Sequence, residues 1–170
     1  MSARDIIIDL GKDLLFALFV VSIVASVAYA FAGTWPVAVA VESGSMEPNI
    51  HQGDLVLIKS PDRMGITPYE DAIRENYTRF NGYGDVIVYM PDGNPHTTPI
   101  IHRAIKWVEK GELMPNGYRA PYSGYITKGD HNAGYDQPGL SGPVKPEWII
   151  GVAYYRIGVI GKVRLLFSWS

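Results

Sequence analysis

From Leu14 to Ala32 the chain reads LLFALFVVSIVASVAYAFA, nineteen residues without a charge. As a helix, at about 1.5 Å per residue, this run spans roughly the 30 Å hydrocarbon core of a bilayer. Eleven of the nineteen are Leu, Ile, Phe or Val. At about −0.3 to −0.6 kcal/mol each near a helix centre, they favour insertion by up to about 5 kcal/mol. The chain has 170 residues, so what remains is sized for one domain. Residues 1–33 are therefore expected to form a short N-terminus and a single transmembrane anchor, with an exported domain over 34–170.

A cleaved signal peptide is the competing reading, since Ala28-Tyr29-Ala30 fits an A-x-A cleavage pattern. The apolar run is longer than the usual 7–15 residues of such leaders, however. Asp5, Asp9 and Asp13 also stand beside Arg4 and Lys12, so the leading segment is not basic. The anchor is preferred. Two basic residues precede it and none follows until Lys59, which keeps the N-terminus cytoplasmic by the positive-inside rule. Everything after Ala32 is then expected on the extracytoplasmic or lumenal face.

Composition closes several other routes. The chain is 47% hydrophobic and 19% charged, so it can bury a core. A net charge of −2 argues against a nucleic-acid partner. No cysteine is present, which removes disulfide scaffolds, thiolate catalysis and cysteine-ligated zinc. The four histidines lack ligand spacing such as H-E-x-x-H, so neither metal nor cofactor is expected.

Beyond Thr34 the texture is that of a β protein. Segments 35–43, 54–60, 85–90, 100–110, 124–130 and 147–167 are rich in β-branched and aromatic residues, and turn signals such as HQGD, NGYGD and PDGNP separate them. The last segment carries Arg156, Lys162 and Arg164; it reads as two strands broken near Gly158–Gly161 rather than a second span. Residues 60–84 are polar and read as a surface insertion, within which YEDAIRENY can form two helical turns. The apolar WIIGVAYY stretch (148–155) fits either a core or a substrate pocket. The closing LLFSWS, with Trp169, suits a lipid headgroup region.

The chemistry concentrates in VESGSMEPNIHQGD, residues 41–54. A serine nucleophile needs a base in hydrogen-bond reach, a group to orient that base, and donors for the developing oxyanion. His51 and His96 lie in loops. His102 lies mid-strand in PIIHRAIKWV, and KGDHNAGYD supplies Asp130, Asp136 and a rival base, His131. Taken singly, each has an ordinary reading as a backbone-bonded strand histidine or a turn-forming Asx residue. Lys106 and Lys128 lie near these motifs without the placement a lysine base requires.

Taken together, the fragments are specific. SGSMEP followed by GD, then GDVIVY, an IHR strand, and GDHN with a further Asp six residues after the first occur in one order. In this the sequence resembles type I signal peptidases, specifically the archaeal and endoplasmic-reticulum branch, in which histidine replaces the lysine base of the usual bacterial enzymes. The resemblance covers roughly Leu14 to Phe167. It implies a mostly β fold of coiled antiparallel sheets behind one N-terminal transmembrane helix, and a serine endopeptidase that removes N-terminal signal peptides after small residues.

The resemblance further implies Ser45 as nucleophile, His102 as general base, Asp136 as triad acid and Asp130 as a supporting carboxylate. Analogy with the bacterial branch adds the Ser43 hydroxyl beside the Ser45 N–H as oxyanion donors. Gly44 is expected to free the turn, Met46 to pack beneath the site and Pro48 to stiffen its exit. Implied partners are signal-peptide-bearing preproteins, the lipid bilayer and the protein translocation machinery. Departures from the pattern are the long segments 60–84, 91–99 and 111–123, and His131 where asparagine is common. Two rivals remain. One is a catalytically silent, membrane-anchored β module that binds peptides or partner subunits. The other is a soluble self-cleaving repressor, disfavoured by the anchor and by the lack of a helix-turn-helix pattern.

Overall fold

The apolar run folds as part of helix α1 (Ala3–Ala32), and the computed structural model describes residues 3–158 of the chain. α1 is long and apolar enough to cross a membrane, and none of its most apolar window is covered by the rest of the protein. Its two interior serines satisfy themselves: Ser22 Oγ donates to Leu18 O at 2.8 Å and Ser26 Oγ to Ser22 O at 2.7 Å. Neither serine hydroxyl on this apolar surface is therefore left wanting a partner.

The end of α1 is tied to the domain that follows. Gly33 takes a left-handed φ of 72° and returns its N–H to Tyr29 O at 2.8 Å, a helix stop that a β-carbon would disfavour. Arg63 Nη1 reaches the carbonyls of Ala30 and Phe31, placing a cation at the negative end of the helix dipole. The Lys59 ammonium lies 3.8 Å from the Phe31 ring centroid. Ser60 N–H donates to Ala32 O at 2.8 Å, and Thr34 Oγ1 to Ile150 O at 2.7 Å.

The main sheet uses β1 (Ala38–Ala40), β2 (Leu55–Lys59), β5 (Val86–Tyr89), β6 (Ile100–Val108), β7 (Gly124–Lys128) and β8 (Ile149–Ile157). Its order is β1-β2-β8-β5-β6-β7, with every neighbouring pair antiparallel. Register shifts at Leu57/Ile58, Val88/Tyr89 and Ala104/Lys106 bend the strands, and the sheet curls. β5 is the pivot because all four of its residues are buried. Val86 and Val88 face a cluster with Val41, Met46, Ile50, Val56, Ile58 and Ala153, while Ile87 and Tyr89 face one with Ala104, Val144, Ile149 and Val152. A strand buried on both faces explains why DVIVY is apolar without alternation.

One expected strand is shorter in the structure. β1 covers only three residues of 35–43, because the chain leaves the ladder after Val41 to form the turn that carries Ser45. β8 ends at Ile157, just before Gly158; residues 159–161 of the expected break, and Trp169, lie outside the described residues. WIIGVAYY belongs to the core through Ile149, Val152 and Ala153.

Residues 60–84 are more ordered than a surface insertion suggests. They form α2 (Pro61–Met64), α3 (Tyr69–Glu75) and a hairpin of β3 (Thr78–Arg79) with β4 (Gly82–Tyr83). Asp85 holds this segment by accepting from Thr67 N–H at 2.9 Å and Tyr77 OH at 2.7 Å. Arg103 of β6 does the same from the sheet, donating to Arg79 O, Tyr83 O and Gly84 O.

Candidate active site

The residues after β1 form a tight turn, closed by Glu47 N–H to Gly44 O at 3.0 Å and Ile50 N–H to Met46 O at 2.9 Å. Met46 and Ile50 are both fully buried in the core cluster under it. Between the buried side chains of Val41 and Met46, Ser45 is left on the rim, facing a cleft. Gly44 is not in the left-handed region; its lack of a side chain provides room, since a β-carbon there would lie 3.3 Å from the Glu47 carboxylate.

His102 projects from β6, opposite Ile87 of β5, and is only 4% exposed. Its Nε2 lies 2.9 Å from Ser45 Oγ. Its Nδ1 lies 2.6 Å from Asp136 Oδ2, and Asp136 is 2% exposed. A carboxylate can only accept, so Nδ1 carries the proton and Nε2 presents its lone pair to the serine hydroxyl. Asp136 is placed by its own N–H, which donates to Thr127 O at 2.9 Å. Its Oδ2 also receives Thr127 Oγ1–H at 2.7 Å and Tyr89 OH at 3.1 Å. Burial, and after it the Asp136 charge, hold the Tyr89 phenol far above its ordinary range.

Asp130 does not reach His102. It forms a two-pronged pair with Arg103, Nε to Oδ1 at 2.8 Å and Nη2 to Oδ2 at 2.7 Å. Its Oδ2 also accepts Asn49 Nδ2–H at 2.8 Å, so it braces the Ser45 turn against the sheet. His131 contributes its main chain, donating to Ser45 O at 2.9 Å, while the residue itself is exposed. Gly129 permits that approach: a β-carbon there would lie 2.6 Å from Ser45 O and 2.9 Å from His102 Nε2. His51 instead meets Arg156 Nη1 at 2.6 Å, and His96 is exposed in its loop.

Ser43 Oγ lies 3.2 Å from Ser45 Oγ. Ser45 N–H donates to no main-chain carbonyl among the described residues. The two donors expected for an oxyanion thus lie on one short stretch beside Ser45 Oγ. The cleft itself has a volume of about 520 Å³, and its lining includes Val39 and Ala40 of β1, Val88 of β5, Ile100 and Ile101 of β6, and Leu140. β1 and β6 are separated by three strands in the sheet, and only its curl brings them to one cleft. Among the described residues, no group of three or more His, Asp or Glu side chains is placed to hold a metal ion.

Sequence reasoning missed Tyr89, Thr127 and Gln137, which surround Asp136, and the apolar walls of the cleft. One signal was available: a tyrosine ending an otherwise aliphatic buried strand needs a partner for its hydroxyl.

Comparison with known proteins bears on this geometry. Two yeast proteins described as signal peptidase complex catalytic subunit SEC11, from Saccharomyces cerevisiae strains YJM789 and RM11-1a, are each 34% identical to this chain over 98 residues. The chain is related to these signal peptidases. The match takes in 58% of this chain and 43% of each relative's length, so the chain spans less than half of the signal peptidases it matches. No protein-family model matches the chain.

Proposed function

We propose that the protein is a membrane-anchored serine endopeptidase that removes N-terminal signal peptides from exported preproteins. The observation that carries this reading is the chain of contacts from Ser45 Oγ to His102 Nε2 at 2.9 Å and from His102 Nδ1 to Asp136 Oδ2 at 2.6 Å, opening into an apolar cleft. Residues 1–33 are the short cytoplasmic N-terminus and anchor, and 34–170 the catalytic domain on the extracytoplasmic or lumenal face. The kinship with the SEC11 subunits supports the substrate class.

In this reading His102 Nε2 takes the Ser45 proton as Oγ attacks the carbonyl before the cut. The Ser45 N–H and the Ser43 hydroxyl receive the negative oxygen. Asp136 stabilises the imidazolium without taking its proton, and His102 hands that proton to the leaving amine. A water activated by the same Nε2 then attacks the acyl-enzyme and releases the signal peptide. β1 is an edge strand, so the substrate adds to it in extended form with alternate side chains directed into the cleft. Walls of Ala40, Val39 and Ile101 suit small apolar residues before the cut. Preproteins arrive at this face from the protein translocation machinery. A catalytically silent binding module has no need for a serine, histidine and carboxylate in this order.

The test is incubation of the full chain in detergent with a signal-peptide-bearing preprotein, followed by N-terminal sequencing of the product. A single cut after a small residue, absent with Ser45→Ala, is expected. Equal cutting by Ser45→Ala contradicts the reading.

A further inference from the structure

Tyr89 closes β5 and is fully buried. At that depth a phenol oxygen requires a partner, and this one has two. Oη lies 3.1 Å from Asp136 Oδ2 and 3.1 Å from Thr127 Oγ1. Thr127 donates its own proton to the same carboxylate oxygen at 2.7 Å and accepts Gln137 Nε2–H at 3.1 Å. The Tyr89 proton therefore goes to Asp136 directly, or to Thr127 Oγ1, where it polarises the Thr127 bond to Asp136. In both arrangements hydroxyl dipoles converge on the oxygen that holds His102 Nδ1–H.

We propose that Tyr89, together with Thr127, is a positioning residue for the triad, fixing the Asp136 carboxylate so that it orients His102. This rests on the reading of Ser45, His102 and Asp136 as the catalytic set. The phenol is held far above its ordinary range by burial first and Asp136 second, so it remains a donor wherever a histidine base operates. The other charged groups around the network have partners of their own. Arg103 is forked with Asp130, Asp92 accepts from Ser141 Oγ and Gly142 N–H, and Lys128 lies over the Tyr135 ring.

Tyr89→Phe removes one oxygen and keeps the ring. With one donor fewer, the Asp136 carboxylate is less stabilised and grips a protonated His102 more strongly. The acid limb of the kcat/KM–pH profile for preprotein cleavage is expected to move up by about half a pH unit. kcat near neutrality is expected to fall about 3- to 10-fold, with KM held within about twofold. Thr127→Val is expected to act in the same direction and carries the test if Tyr89→Phe does not fold; Thr127→Ser is expected to restore wild-type behaviour. Independently of turnover, the ring nitrogen signals of His102 in the ¹⁵N-labelled full chain in micelles are expected to titrate at a higher pH in Tyr89→Phe and Thr127→Val.

Lower thermal stability with an unmoved acid limb and an unmoved His102 ring titration assigns Tyr89 to packing alone and overturns the proposal. A wild type that cuts no preprotein removes the protease reading. The His102 ring titration then still decides whether Tyr89 governs the Asp136–His102 pair.

Discussion

Asp136 Oδ2 receives His102, Thr127 and Tyr89 at 2.6, 2.7 and 3.1 Å, whereas Asp130 gives both its oxygens to Arg103 and Asn49. Two aspartates six residues apart thus have different work. Asp136→Asn keeps the shape but can present a donor to Nδ1, turning the imidazole to the wrong tautomer. It is expected to lower kcat by about 10³- to 10⁴-fold with little change in unfolding temperature, read by cleavage assay and thermal melt on one preparation. Ser45 and His102 stood out in the sequence because each interrupts a distinctive local context, a glycine-rich turn and an apolar strand. Their carboxylate was ambiguous from sequence, because GDHNAGYD offers two aspartates and only the folded loop decides which one reaches β6. Tyr89 and Thr127 were not singled out because their significance arises only where two strands bring their hydroxyls to Asp136.

At the scale of elements, Arg103 joins three parts of the molecule: β6, the hairpin of residues 78–83, and the loop holding Asp130. The pair is nearly buried, at 4% and 11% side-chain exposure. Asp130→Ala leaves a buried guanidinium without its counter-charge and is expected to cost about 3–5 kcal/mol. Chemical denaturation checks it, with Asp136→Asn as the stable control. The same residue explains where sequence reading stopped. β2, β5, β6 and β7 announce themselves by runs of β-branched residues, and all four appear within the expected segments. Residues 60–84 hold to the sheet by hydrogen bonds to Arg103 and Asp85 as well as by Met64, Ile66 and Phe80 packed against the core. Hydropathy patterning does not register such an attachment. β1 was overestimated for a related reason: the apolar run continues past the ladder because Val41, Met46 and Ile50 anchor the Ser45 turn in the core.

For the whole molecule, the end of α1 is clamped by Arg63, Lys59 and Thr34, so helix and sheet are joined with little free linker. With α1 across a bilayer, as proposed, that clamp holds the start of the sheet close to the membrane surface. The chain has no cysteine, which makes topology directly measurable. Lys110→Cys is expected to react with an impermeant maleimide from the extracytoplasmic side of intact cells or inverted ER vesicles, and Ser2→Cys only after permeabilisation. The reverse pattern contradicts the orientation. Preprotein cleavage rates measured side by side for wild type, Ser45→Ala, His102→Ala and His131→Ala in detergent decide whether Ser45 and His102 carry the chemistry. A loss of several orders of magnitude is expected for Ser45→Ala and His102→Ala, with His131→Ala close to wild type. Cleavage that survives His102→Ala and is lost in His131→Ala would contradict that.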